Sequence, residues 1–156
     1  MTLRLDLDGT VRDRVGAVDT STLIPELDQH KRRLMKEAYR LGGIDPVTGE
    51  LVRFRNARLQ DCHVCQAFRD PNAREHGATE DKLAAVDDYE ASDLPEDQKV
   101  ALRFADAYLT SPAELTDELR ASMRRDYTPV QIVELVLRLS ATTSNRVLRT
   151  LGLDAD

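Results

Sequence analysis

Beyond its first 20 residues this chain repeats apolar positions at intervals of three, four and seven, and no later segment alternates as a strand would. Leu23, Ile24, Leu27, Leu34 and Ala38 trace one helical stripe, with Lys31, Arg32 and Arg33 on the watered side. Leu41-Gly42-Gly43 ends that helix, and Ile44-Asp45-Pro46 does not continue it. Thr48 reads as the cap of the next helix, whose buried stripe is Leu51, Phe54 and Ala57 with Leu59 at its margin. Asp61 reads as the cap of a second piece starting at Cys62, and Pro71 limits its extent.

Capping signals are clearer in the second half. Thr79 precedes a short helix through Ala85 and Val86, and Leu94-Pro95-Glu96 opens a longer one carrying Val100, Leu102, Phe104, Ala105, Tyr108 and Leu109. Ser111-Pro112-Ala113-Glu114 has the form of a capping box, with Thr116 as the alternative cap of a helix ending near Met123. Thr128-Pro129-Val130-Gln131 has the same form ahead of Ile132, Val133, Leu135, Val136, Leu137 and Leu139. That last helix is apolar on more than one side at its start, which suits a central position or a subunit interface. The pattern predicts an all-α bundle of about seven helices, one domain over 1–156 with residues 1–20 as an irregular arm or a short strand.

Composition narrows the partners. The 156 residues carry 22 Lys and Arg against 28 Asp and Glu, a net charge of −6 that opposes binding to a phosphate backbone. No apolar run approaches the length of a membrane span, and the first residues lack the apolar core of a secretory signal. These features point to the cytoplasm, where thiols stay reduced unless they are in use. The segment Asp6-Leu7-Asp8-Gly9-Thr10-Val11 has the D-x-D-G-T form of haloacid-dehalogenase-type phosphatases, and Asp87-Asp88 imitates a later acidic pair of that family. That motif needs a buried strand in a parallel sheet, and the chain offers no later strands to build one.

The chemistry concentrates in Gly49 to Arg69, which holds the only two cysteines, Cys62 and Cys65, as C-x-x-C. Near a helix start, unpaired N–H groups favour a negative sulfur, and residues three apart share a face, so the pair can close a disulfide. Arg69, four residues past Cys65, can lie beside its sulfur and hold it as thiolate. Glu50, twelve residues before Cys62, is a candidate proton acceptor. On one straight helix the two would sit roughly 120° apart, so they meet only if the helix breaks near Gln60-Asp61 or a neighbouring chain closes the site. The bland alternatives are cysteines used as small buried apolar residues, and half of a zinc site with His63 or His76.

From Thr48 to about Gly152 the chain resembles the carboxymuconolactone decarboxylase superfamily, in its alkylhydroperoxidase D-like branch. Glu50-Leu51-Val52-Arg53, Ala57-Arg58-Leu59 and the Cys62/Cys65 pair carry the likeness, followed by Asp97 to Leu109, Thr116-Asp117 and Tyr127 to Leu148. The resemblance implies a helical protomer in homotrimers or homohexamers and a thiol-dependent peroxidase or disulfide oxidoreductase of antioxidant defence. It implies Cys65 as the attacking thiol, Cys62 as the resolving thiol and Glu50 as the relay acid. It calls for a hydroperoxide substrate and a protein dithiol, lipoyl group or small thiol as reductant, with no metal or organic cofactor. Two departures stand out: Arg69 replaces the relay histidine, and Val64 replaces the histidine before the second cysteine, leaving His63 one place earlier. An arginine stays charged and shuttles no proton, but it can stabilise a thiolate or pair with Glu50. The superfamily's decarboxylase branch, or a ligand-binding role with vestigial thiols, is the competing expectation.

Overall fold

The computed structural model describes residues 24–40 and 42–150; the N-terminal arm and its D-x-D-G-T segment lie outside them. Helices α1 (Pro25–Arg40), α2 (Pro46–Leu59), α3 (His63–Ala67), α4 (Pro71–Glu75) and α5 (Glu80–Ala84) follow in order. A 3₁₀ segment at Ala85–Ala91 leads to α6 (Glu96–Thr110), and a shorter one at Pro112–Glu114 leads to α7 (Asp117–Asp126) and α8 (Pro129–Thr150). The described residues contain helices and turns and no strand, as the periodicity predicts. No described helix is long and apolar enough to cross a membrane.

Helix α2 is the axis of the molecule. It packs against α6 on one side and α8 on another, and α3 and α4 fold back onto it. Every residue from Val47 to Phe54 is buried, and so are Asn56 and Ala57. The sequence predicts a single stripe here; the helix is instead enclosed around nearly its whole circumference, so its polar side chains must find partners inside. The apolar core joins Leu51 and Val52 of α2 to Leu83, Val86, Leu102, Ala105, Leu135 and Leu139.

Several helix boundaries differ from the sequence expectation for local reasons. Asp45, not Thr48, caps α2, accepting the Val47 and Thr48 N–H groups at 3.2 and 2.7 Å, with Pro46 in the first turn. Ser111-Pro112-Ala113-Glu114 closes only a 3₁₀ turn, and the cap of α7 is Thr116, whose side chain accepts the Leu119 N–H at 3.2 Å. Thr79 caps α5 as read, and Thr128 and Gln131 form a complete capping box, bonding each other's N–H groups at 2.8 and 3.3 Å.

A buried ion pair anchors α1 and the loop after it. Glu134 on α8 is fully buried; it accepts the N–H groups of Gly43 and Ile44 at 2.9 and 3.2 Å and pairs with Arg138 at 2.5 Å. Arg138 also donates to the Ala38 carbonyl and lies over the Tyr39 ring, 4.9 Å from its centroid. Val130 and Val133, at the apolar start of α8, are more than half exposed in the single chain.

Candidate functional site: a disulfide on a cavity wall

The end of α2 builds the site. Gln60 is the C-cap, and Asp61 takes φ 51°, the left-handed conformation that usually selects glycine. The Asp61 N–H bonds the Arg58 carbonyl and the Cys62 N–H bonds the Ala57 carbonyl, both at 3.0 Å. This is a Schellman motif with aspartate in the glycine position. Asp61 therefore ends one helix and does not cap the next. Cys62 takes the capping place itself: its carbonyl accepts the Gln66 N–H at 2.9 Å, and its Sγ lies 3.3 Å from the Cys65 N–H, which donates to it. The break falls where the Glu50–Cys62 geometry requires it, at Gln60-Asp61.

Cys62 and Cys65 are joined as a disulfide, their Cα atoms 5.3 Å apart. Both line a cavity of about 520 Å³ together with Met35, Tyr39, Arg53, Asn56, Ala57, Gln60, Phe68, Asp70 and Thr142. Gln60, Asn56 and Thr142 form a hydrogen-bonded string across its wall. Burial pushes the Tyr39 hydroxyl above its ordinary range, against the pull of the Arg53 and Arg138 charges, so Tyr39 keeps its proton at neutral pH.

Glu50 lies beneath this wall and is 2 % exposed. Its partner is Arg53, one helical turn on: Nε to Oε2 at 2.6 Å and Nη2 to Oε1 at 2.8 Å, a two-point fork. The same guanidinium reaches forward to the Cys65 carbonyl through Nη1 at 2.6 Å and to the Phe68 carbonyl through Nη2 at 3.0 Å. These belong to the last turn of α3 and the residue beyond it, so Arg53 caps that helix from outside. The rings of Phe68 and Phe54 flank it at 5.2 and 6.0 Å. The Asp70 N–H completes the shell of Glu50, donating to Oε1 at 3.3 Å.

Arg69 stands elsewhere. It pairs with Glu80 at 2.9 Å, donates to the Phe68 carbonyl at 2.9 Å and lies over the Phe54 ring at 5.0 Å. The Glu80 hydrogen bond raises its pKa further and lowers that of Glu80. The salt bridge to Glu50 considered from sequence is made by Arg53 instead, because Arg53 shares the helix with Glu50 while Arg69 follows the turn outward. His63 is exposed at the start of α3 and is not among the cavity-lining residues. His76 is exposed and contacts the Asn72 carbonyl, and His30 is exposed on α1. No cluster of three or more His, Cys, Asp or Glu side chains suited to a metal occurs among the described residues.

The structure brings Cys62 and Cys65 to one cavity wall and pairs Glu50 with Arg53, while Asp70, Tyr39 and the polar string on that cavity are not singled out by the sequence reading. The one available signal was the acid–arginine spacing of three in Glu50-Leu51-Val52-Arg53, which puts the two on one helix face.

The described residues thus form an all-helical bundle that holds a C-x-x-C disulfide and a buried acid–arginine pair. Residues 25–106 match the carboxymuconolactone decarboxylase family, and the chain belongs to that family. It is 35% identical to the uncharacterized protein Rv2313c of Mycobacterium tuberculosis over 74% of its own length and 41% of that protein's. The chain thus spans about two-fifths of that relative. It is also 28% identical to the uncharacterized protein YdfG of Bacillus subtilis, over 76% of this chain and 82% of the other. A crystal structure from Agrobacterium tumefaciens shares its fold, with a TM-score of 0.74, 19% identity and coverage of 90% and 97% of the two chains. That protein is of unknown function, and an antioxidant defence role of the AhpD kind has been suggested for it.

Proposed function

We propose that the protein is a thiol-dependent peroxidase and disulfide oxidoreductase. The observation that carries this reading is the Cys62–Cys65 disulfide set into the wall of a cavity large enough for a small organic molecule. A structural staple across three residues would constrain almost nothing, whereas a dithiol facing a cavity can exchange electrons with what enters it.

In the forward half-reaction the Cys65 thiolate attacks the distal oxygen of a hydroperoxide. The O–O bond breaks, the alkoxide leaves and takes up a proton as alcohol, and Cys65 becomes a sulfenic acid. Cys62 then attacks the Cys65 sulfur; the S–O bond breaks, hydroxide leaves and is protonated to water, and the disulfide forms. Two thiols and one hydroperoxide give one disulfide, one alcohol and one water. An external dithiol returns both electrons by exchange. In this scheme Glu50 serves Cys65 through Arg53, while Arg69 and His63 carry no step. The antioxidant role suggested for the Agrobacterium protein would extend to this chain on the same chemistry.

The test is intact mass of the reduced protein after one equivalent of cumene hydroperoxide, with alkylation of the remaining thiols. A mass lower by two hydrogens, with no alkylation, is the expected result. Two alkylated thiols on an otherwise unchanged chain would sink the proposal and favour a decarboxylase-like or ligand-binding role. Cys65→Ser is expected to abolish hydroperoxide consumption; full retention would overturn the assignment of the attacking thiol.

A further inference from the structure

Peroxide reduction by a dithiol moves protons as well as electrons, and the residues suited to move them are few here. Arg69 faces Glu80, His63 is exposed away from the lining, and Glu50 has both oxygens engaged by Arg53 and the Asp70 N–H. Among the described residues that line the cavity, Asp70 is the one carboxylate. Its Oδ1 accepts the Asn72 N–H at 2.9 Å, which leaves Oδ2 for other work.

We propose that Asp70 is the catalytic proton acceptor and donor of this site, and that Glu50 is a positioning residue that holds Asp70 by its N–H and Cys65 through Arg53. This rests on the thiol peroxidase reading. Asp70 takes the Cys65 proton to leave the attacking thiolate and returns that proton to the departing alkoxide. It then carries the Cys62 proton to the departing hydroxide, so it ends each turnover unchanged. The charged and titratable groups around it are Tyr39 of α1, Arg53 of α2 and the two cysteines, which line the same cavity, and Glu50 of α2, which accepts its N–H; Thr142 of α8 is neutral, and Arg138 lies over the Tyr39 ring. Burial raises the Tyr39 pKa while it senses the Arg53, Glu50 and Asp70 charges, so its hydroxyl stays protonated and does not serve as the proton acceptor.

The competing role for Asp70 is purely structural, as N-cap of α4. Asp70→Asn separates the two, because asparagine caps as well as aspartate but accepts no proton. In the full-length reduced protein, peroxide-driven disulfide closure by Asp70→Asn is expected to be about a hundredfold slower at pH 7 and to lose the acid-side limb of its pH profile, with thermal stability unchanged. Glu50→Gln is expected to lower thermal stability and rate together while keeping that limb. An Asp70→Asn rate and profile matching wild type would overturn the proposal.

A second readout needs no peroxide. Iodoacetamide alkylation of the reduced thiols is expected to shift to lower pH in Asp70→Asn, since removing a neighbouring negative charge favours the thiolate. Coincident alkylation profiles would place the carboxylate away from the sulfurs and overturn the proposal. A shifted profile in a protein that ignores cumene hydroperoxide would sink the peroxidase reading while leaving Asp70 coupled to the thiols.

Discussion

Arg53 holds more of the site together than any other single side chain. Its guanidinium is nearly buried, neutralises Glu50 and satisfies two carbonyls of the cysteine-bearing segment. Arg53→Ala would leave Glu50 charged in the interior with no partner, and a buried pair broken in this way costs about 3–5 kcal/mol. Chemical denaturation should show that loss; a change below 1 kcal/mol would mean that Glu50 finds water or another donor. Arg53→Lys keeps the charge without the fork and is expected to recover only part of it. The cysteine pair and Glu50 are legible in the sequence because residue type and spacing announce them. The contacts of Arg53 and Asp70 are not, since they depend on the chain turning back at Asp61, and nothing in residue type or spacing brings Asp70 next to Glu50.

At the level of helices, the decisive event is the Schellman turn that ends α2. A left-handed residue other than glycine costs about 1–2 kcal/mol, and a β-branched one fits worse. Asp61→Val is therefore expected to lower the unfolding free energy by at least that amount and to disturb disulfide formation, read by denaturation and by thiol counting. Unchanged values would show that the turn tolerates any side chain. A second close approach lies between α2 and α8: a Cβ on Gly49 would collide with the Arg138 guanidinium. Gly49→Ala sets a helix-propensity gain of about 1 kcal/mol against displacing the Arg138 guanidinium from its buried pair with Glu134, and is expected to lower stability only if that guanidinium cannot shift, read by urea unfolding. Helix existence and order were readable from periodicity and from caps such as Thr79 and the Thr128/Gln131 box. The enclosure of α2 was not: its apolar residues alone define a stripe, and only the internal pairing of Glu50, Arg53 and Asn56 lets its other sides be buried.

For the molecule as a whole, the buried tyrosines make stability sensitive to alkaline pH. Burial raises the pKa of Tyr39, Tyr89 and Tyr127, and the Asp106 carboxylate adds to the effect at Tyr89. A group with a raised folded pKa keeps its proton while the unfolded chain loses it, so its contribution is intact below about pH 10 and is lost as pH climbs beyond. Urea unfolding at pH 8, 10 and 11 should show stability falling across the last interval; a flat profile would contradict the burial of these phenols. The cavity brings a kinetic consequence of a different kind. Cys62 and Cys65 line one cavity, so on the peroxidase reading proposed above the hydroperoxide and the returning dithiol compete for the same space. That reading predicts steady-state kinetics of the ping-pong form in which a surplus of hydroperoxide slows turnover by blocking the protein's own recharging, and parallel-line plots without such inhibition would contradict the shared site. The throughput of such a gatehouse is greatest when traffic in the two directions is balanced.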